Sequence, residues 1–438
     1  MENRYNKYKD SGIEWIGEIP EHWNLALVKS IFNRRIKKNN PILTEERLSL
    51  SIEKGVTLYS EKTTNLDRFK EDFTQYQIAY PNDIVLNSMN MIVGAIGISH
   101  YLGCVSPVYY VITPKDKSIN VNYYGYLLNN FRIRNLYHAL GEGIYAIDRG
   151  EGRINTCRLK VSYDKFGSII LPIPSINEQQ TIATYLDQKC GEVDELIALQ
   201  EEMITKLQSY KQSVITEAVT KGLDKNAPLK DSGIEWIGEI PEHWSKNKII
   251  RLFTIIGSGT TPKSSKEDNY NGSINWIQSG DINGGYIVTC KNTISDTAFK
   301  EYPALRIYKA PFIIVAMYGA SVGNISISQI DGCVNQACCV MNETNQNFKY
   351  LFYAMNSVKR YLIYRAEGGG QPNISQDKIK NTWLPIPPLP EQQSIADYLD
   401  QKCGEIDELI SIKQQKIEKL KDYKKSLIFE CVTGKRKV

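Results

Sequence analysis

The sequence predicts an α+β fold: two mixed α/β segments, separated and joined by two long antiparallel helices that form a coiled coil, in a pseudo-twofold internal repeat. Three observations predict it. A block of fifteen residues occurs twice without change, and a block of twenty recurs at 17 positions. Each copy of the second block opens a proline-free stretch of about 43 residues with heptad spacing.

The first block, KDSGIEWIGEIPEHW, spans Lys9 to Trp23 and again Lys230 to Trp244, 221 residues on. The second, EQQTIATYLDQKCGEVDELI, spans Glu178 to Ile197 and recurs at Glu391 to Ile410, an offset of 213. The second intervening segment is therefore eight residues shorter. Between the blocks, segments 24–170 and 245–383 share little beyond a Gly-rich stretch and the exit Leu-Pro-Ile-Pro, at Leu171 to Pro174 and Leu384 to Pro387. Drift after a gene duplication would blur frame and filling alike. The contrast points instead to a constant platform carrying two different recognition surfaces.

The long helices follow Pro174 and Pro387. From Glu178 to Thr220, positions seven apart read Leu186, Val193, Gln200, Leu207 and Val214. A second register reads Lys189, Leu196, Met203 and Tyr210, flanked by Ile197 and Ile204. The other copy repeats the stripe at Leu399, Ile406, Lys413, Leu420 and Leu427, beside Leu409 and Tyr423. A helix of that length is roughly 64 Å long, and its broad apolar seam needs a partner, for which the other copy is the obvious choice. The helix-pairing set is Leu186, Val193, Leu196, Met203, Leu207, Tyr210, Leu399, Ile406, Leu409, Leu420 and Tyr423. A globular segment intervenes, which favours an antiparallel pair. Gln200 and Lys413 would fix register or sit at solvated ends. Gly191 and Gly404 mark a kink, a break, or a tolerated cost of about 1 kcal/mol each.

The inserts read as mixed α/β with short strands at Asp83 to Leu86, Pro107 to Val111, Ser273 to Ile277 and Phe312 to Met317. Helices are expected over Tyr123 to Leu140 and Asn347 to Arg365. Pro81-Asn82-Asp83, Gly257-Ser258-Gly259 and Asn283-Gly284-Gly285 are turn signals.

Composition excludes several classes. With 42% hydrophobic and 23% charged residues the chain is a folded protein, and its longest apolar runs are too short to span a bilayer. No apolar segment opens the chain, so no signal peptide is expected. Nine scattered cysteines lack a Cys-x-x-Cys pair, which argues against zinc or a disulfide framework and for a reducing cytoplasm. The four histidines, His22, His100, His138 and His243, assemble neither a metal cluster nor a triad by spacing. There is no Walker A sequence, and no Asn/Asp-Pro-Pro-Tyr/Phe of an adenine methyltransferase. The net charge of +4 is low for a protein holding DNA alone. Arg34-Arg35-Ile36-Lys37-Lys38 could face phosphates or simply be solvated. The 27 tyrosines, with inserts rich in Asn, Gln, Ser and Thr, provide the side chains that read base edges and hold the backbone.

The frame, Gly-Ile-Glu-Trp-Ile-Gly-Glu-Ile-Pro-Glu-His-Trp, then Leu-Pro-Ile-Pro, then Glu-Gln-Gln-x-Ile-Ala-x-Tyr-Leu-Asp, resembles the DNA-specificity (S) subunits of type I restriction–modification enzymes. The helix exits Ala218 to Gly222 and Cys431 to Lys435 resemble that family's as well. So do four segments of the second insert: Gly257 to Pro262, Tyr270 to Trp276, Gly319 to Gly323 and Gly370 to Ile374. The first insert departs from the pattern, since it has no Gly-Thr-Thr-Pro loop, and its Asn87 to Gly94 only loosely parallels Tyr318 to Gly323.

The resemblance implies a non-catalytic subunit with no cofactor of its own. Target-recognition domains would occupy 1–175 and 223–388, and spacer helices 176–222 and 389–438. Each domain would read one half of an asymmetric bipartite site in double-stranded DNA. The helices would set the gap and dock two methyltransferase (modification) subunits, and restriction/translocase subunits would join them. S-adenosylmethionine, ATP and Mg would belong to those partners. Polar loops with permissive glycines single out Thr260, Thr261, Lys263, Gln278, Ser279, Tyr318, Ser321, Gln371, Asn373 and Ser375 as DNA-binding in the second domain. In the first they are Arg34, Arg35, Lys37, Asn87, Asn90, Tyr145, Arg149 and Arg153. The competing reading is a coiled-coil scaffold whose variable domains bind proteins; an autonomous methyltransferase or nuclease is disfavoured by the missing motifs.

Overall fold

A computed structural model describes residues 4–62, 72–144, 158–319, 321–364, 366 and 373–438. The chain divides into two compact units, Met1–Gln200 with Gln415–Val438, and Glu201–Gln414. Four helices organise them: α1 (Val121–Asn129), α2 (Ile176–Lys221), α3 (Phe348–Ser357) and α4 (Leu389–Val432). The division falls inside α2 and α4, so each long helix lends a stretch to each unit.

The four-stranded sheet of unit one has the order Phe32–Arg34, Tyr109–Pro114, Ile84–Asn87, Ile96–Ile98, antiparallel throughout. Unit two repeats that order with Ile255–Gly257, Cys338–Asn342, Phe312–Ala316 and Ile325–Ser328. It adds Tyr286–Ile287 as a parallel edge. The two inserts thus share a topology that their sequences do not display. Central strands are buried on both faces, and their alternation feeds two cores. Ile84 and Leu86 join the core that receives the long helices, whereas Val85 packs with Val111 and Leu50 on the other side. In unit two Ile313 and Val315 face the helix side, and Ile314 and Ala316 the other.

Each of the two expected insert helices is two: Asn347 to Arg365 divides into Phe348–Ser357 and Lys359–Tyr364. Over Tyr123 to Leu140 the chain breaks at Asn130, whose side-chain oxygen accepts from the backbone of Arg132 and Ile133 at 2.9 and 3.1 Å and restarts the helix at Phe131.

Both long helices run unbroken through Gly191 and Gly404, where the space beside each α-carbon is open. In unit one Ile182, Leu186 and Cys190 of α2 share a core with Leu427, Cys431 and Val432 of α4. In unit two the roles reverse: Val214, Ala218 and Val219 of α2 meet Ile395, Leu399 and Cys403 of α4. Within unit two Lys211 pairs with Asp407 at 2.7 Å and Lys413 reaches Met203 at 3.2 Å, so numbers rise on one helix as they fall on the other. The equivalent pair in unit one, Lys424 with Asp194, lies at 2.6 Å. Such half-exposed pairs contribute about 0–1 kcal/mol; the buried line supplies the stability.

The repeated frame is a socket for a helix end. Tyr8–Asp10 pairs with Glu18–Pro20, and Leu229–Asp231 with Glu239–Pro241, to present a fully buried tryptophan, Trp23 or Trp244. Leu-Pro-Ile-Pro then pairs with the strand that follows the tryptophan, Ile170–Ile173 with Asn24–Leu27 and Trp383–Ile386 with Ser245–Lys248. Gly222, at the exit of α2, rests on Trp244; Gly434, at the exit of α4, rests on Trp23. A β-carbon on Gly434 would sit 2.3 Å from Pro20, and its φ of +74° is left-handed, so glycine is required twice over. Each insert adds a buried tyrosine to the socket. The Tyr123 hydroxyl donates to the Val432 carbonyl at 2.8 Å, and that of Tyr350 to the Pro385 carbonyl at 2.8 Å, with the Val219 carbonyl 3.3 Å away.

Each socket tryptophan is tied to the start of a long helix. Trp23 Nε1 donates to Glu178 at 3.1 Å and His22 lies 2.8 Å from the same oxygen; Trp244 and His243 bond Glu391 at 2.9 and 2.6 Å. Burial pushes the Glu178 carboxyl up, but bonds from His22, Trp23 and Ser175 outweigh it and hold it down at about 2, against an ordinary 4.5. A carboxyl held low stabilises the fold while ionised. Its contribution is complete above pH 4.5 and is lost as the pH falls toward 2. Glu178→Gln should therefore lower the melting temperature at pH 7 and shrink the difference between pH 7 and pH 3. Thermal scans showing the same difference in both proteins would rule this out.

Candidate nucleic-acid interface

In unit two the loop after Ile255–Gly257 lies against the turn at Val334–Ala337. Gly259 makes the approach possible, since a β-carbon there would meet the Val334 carbonyl at 1.7 Å. Thr260 is half-buried in this loop, and the exposed Thr261 donates its hydroxyl to the side-chain oxygen of Gln336. The backbone of Tyr318 bridges to exposed Asn373, which brings a third segment alongside. Thr261, Tyr318 and Asn373 thus converge. Lys263 is exposed, and its backbone N–H donates to the Tyr302 hydroxyl at 3.1 Å.

Three other residues serve local structure. The Gln278 backbone N–H donates to Asp281 at 2.8 Å within a reciprocal cap. Ser321 donates to the Ser279 carbonyl at 2.7 Å, which joins their two loops. Ser375 caps the helix Gln376–Lys380 by accepting from Lys378 at 3.3 Å. Gln371 lies outside the described residues.

In unit one the basic cluster is built on tyrosine. The exposed Arg34 guanidinium lies over the rings of Tyr110 and Tyr163, 4.9 and 4.7 Å from their centres. Lys37 donates to the Tyr80 hydroxyl at 2.7 Å. Arg35 differs: two of its nitrogens hold Asp83 at 2.8 and 3.0 Å, and that carboxylate is 2% exposed. A buried carboxylate with a bidentate partner commits the guanidinium to the fold. Arg34 and Lys37 remain as accessible positive charge. Asn87 is buried at a strand end, its side chain accepting from the Met89 backbone at 3.1 Å, while Asn90 is exposed. Tyr145, Arg149 and Arg153 lie outside the described residues.

Along the helices Leu186, Val193, Leu399 and Ile406 are buried, with Gln200 in the same line, and Leu207 and Leu420 are half-buried. Leu196, Met203, Tyr210, Leu409 and Tyr423 are exposed on the flank. Leu196, Leu199 and Tyr423 in unit one correspond to Leu409, Ile412 and Tyr210 in unit two, so the same apolar face occurs twice. Gln336 escaped sequence reasoning. Its signal was a polar Asn335-Gln336 pair interrupting an apolar run, Cys333-Val334 before and Ala337-Cys338 after.

Among the described residues no group of three or more His, Cys, Asp or Glu is placed to hold a metal, and no helix is long and apolar enough to cross a membrane. Residues 241–422 match the family described as Type I restriction modification DNA specificity domain. The chain is 25% identical to the putative type I restriction enzyme MjaX specificity subunit of Methanocaldococcus jannaschii, over 97% of this chain and 96% of that one. It is 24% identical to the type I restriction enzyme EcoBI specificity subunit of Escherichia coli, over 70% and 66%. A solved structure described as the "Structural basis underlying complex assembly and conformational transition of the type I R-M system" shares the fold, with a TM-score of 0.68 at 15% identity over 94% of this chain and 98% of that one.

Proposed function

We propose that the chain is a DNA-specificity subunit of a type I restriction–modification system, which the match of residues 241–422 and the likeness to the MjaX subunit over 97% of this chain support, and that it reads a split, asymmetric target in double-stranded DNA, one half with each unit. On this reading α2 and α4 set the gap between the halves and form the coiled-coil spacer. A specificity subunit has no catalysis of its own, so methylation and cleavage come from others.

The observation that carries the reading is the repeat: two identical sockets hold two inserts of shared topology whose exposed side chains differ. Unit one offers arginine and lysine over tyrosine rings, and unit two offers hydroxyls and amides. Different surfaces on one frame suit two different half-sites. The twice-occurring apolar face, Leu196, Leu199 and Tyr423 with Leu409, Ile412 and Tyr210, suits two copies of one partner. Two methyltransferase subunits, carrying S-adenosylmethionine, would dock there, joined by ATP- and Mg-dependent restriction subunits in the cytoplasm. Their share of the phosphate contacts accounts for a net charge of only +4.

The test is a genome-wide map of methylated adenines with and without this chain, its neighbours' products present throughout. The expected result is a two-part motif that disappears with the chain. Methylation by the purified chain alone would identify an autonomous enzyme instead, and an unchanged map a protein scaffold.

A further inference from the structure

Gln336 stands exposed between buried neighbours, with Val334 fully covered on one side and Ala337 nearly so on the other. Its backbone carbonyl accepts from the Ser258 hydroxyl at 3.4 Å. The Thr261 hydroxyl donates to its amide oxygen. Gly259, lying against the Val334 carbonyl, fixes the loop that carries Thr261. On the neighbouring strand the Met317 N–H donates to the Ala337 carbonyl at 2.7 Å, and Tyr318 is bridged by backbone to Asn373.

A carboxamide has two acceptor sites on oxygen and two N–H donors on nitrogen. Thr261 uses one acceptor site. An acceptor on oxygen and a donor on nitrogen remain side by side in an amide that the Thr261 bond already orients, so less freedom is lost when it binds. In the major groove adenine presents N7 as acceptor beside its N6 amino group as donor, the complement of that pair. Guanine presents two acceptors there and would oppose the amide oxygen.

We infer that Gln336 reads an adenine of the second half-site from the major groove, with Thr261 as its positioning residue. This rests on the DNA-reading function given above. The experiment selects duplexes with randomised half-sites, using the chain co-purified with its methyltransferase subunits. Gln336→Ala should spread one adenine position to all four bases and weaken the original site about tenfold or more, leaving the other half-site unchanged. Gln336→Glu, which has acceptors and no donor, should move that position toward cytosine, whose N4 amino group donates. Thr261→Ala should relax the same position more weakly.

The remaining positions of the second half-site, read by the same unit as Gln336, report that each variant is folded. An unchanged motif in both Gln336 variants overturns the inference, as does a loss spread evenly over all positions, which would mark a phosphate contact. If the unaltered complex selects no two-part motif, the DNA-reading function falls and the inference with it.

Discussion

Replacing Trp23 with alanine should unfold the first unit while the second stays folded. The indole is fully buried, meets Tyr5 edge-on at 5.9 Å, and supports the exit of α4 at Gly434. Removing such a side chain costs about 3–5 kcal/mol. The loss of its bond to Glu178 adds roughly 1–3 kcal/mol for a carboxylate left short of a donor. Against a typical domain stability of about 5–15 kcal/mol, that is most or all of what holds the unit. Hydrogen exchange followed by mass spectrometry would read the result strand by strand. The amides of Ile84–Asn87 and Tyr109–Pro114 should exchange as in an open chain, with those of Phe312–Ala316 still protected. Equal protection in both sheets would refute a separate socket for each unit.

Inserting four residues into both long helices, near Gln200 and Gln415, should lengthen the gap in the recognised motif by about two base pairs. Four residues add roughly 6 Å of helix, against about 3.4 Å per base pair. They also add about 40° beyond one full turn, a rotation a buried line this long can absorb. Insertion into one helix alone should instead break the register that Lys211–Asp407 and Lys424–Asp194 mark, and the complex should fail to assemble. A methylation map with an unchanged gap after the matched insertion would remove the helices from any role in spacing.

The frame was legible in the sequence because it is written twice. An identical tryptophan and an identical glutamate, far apart in both copies, are readily read as one unit, although nothing in the spacing tells that they bond to each other. The seam was half legible. Leu186, Val193, Leu399 and Ile406 face inward, yet Leu196 and Tyr210 keep the same seven-residue spacing on the neighbouring stripe, and periodicity cannot choose between adjacent stripes. The shared topology of the inserts was hidden. A strand buried on both faces needs only apolar bulk, so Ile84-Val85-Leu86 and Ile313-Ile314-Val315 can hold one position in the sheet without one sequence. Arg35 was read as accessible because its partner, Asp83, lies 48 residues away. In the same way, Gln336 gains its role from Thr261, 75 residues distant.

The socket also governs inheritance. What an insert must supply to fit includes a tyrosine at the position of Tyr123 or Tyr350, and an asparagine such as Asn120 or Asn347, whose side-chain nitrogen donates at 2.6 and 2.7 Å to Gln180 and Gln393 near the start of the long helix. It also supplies apolar side chains to the core that receives the long helices, Ile84, Leu86 and Leu127 in unit one and Ile313, Val315 and Leu351 in unit two. Paired crossovers, one in a fifteen-residue stretch and one in the twenty-residue block that follows the insert, would exchange a whole insert and leave the residues of the frame unchanged. A new specificity could then arise in a single exchange, where substitution by substitution it would have to pass through proteins that read nothing.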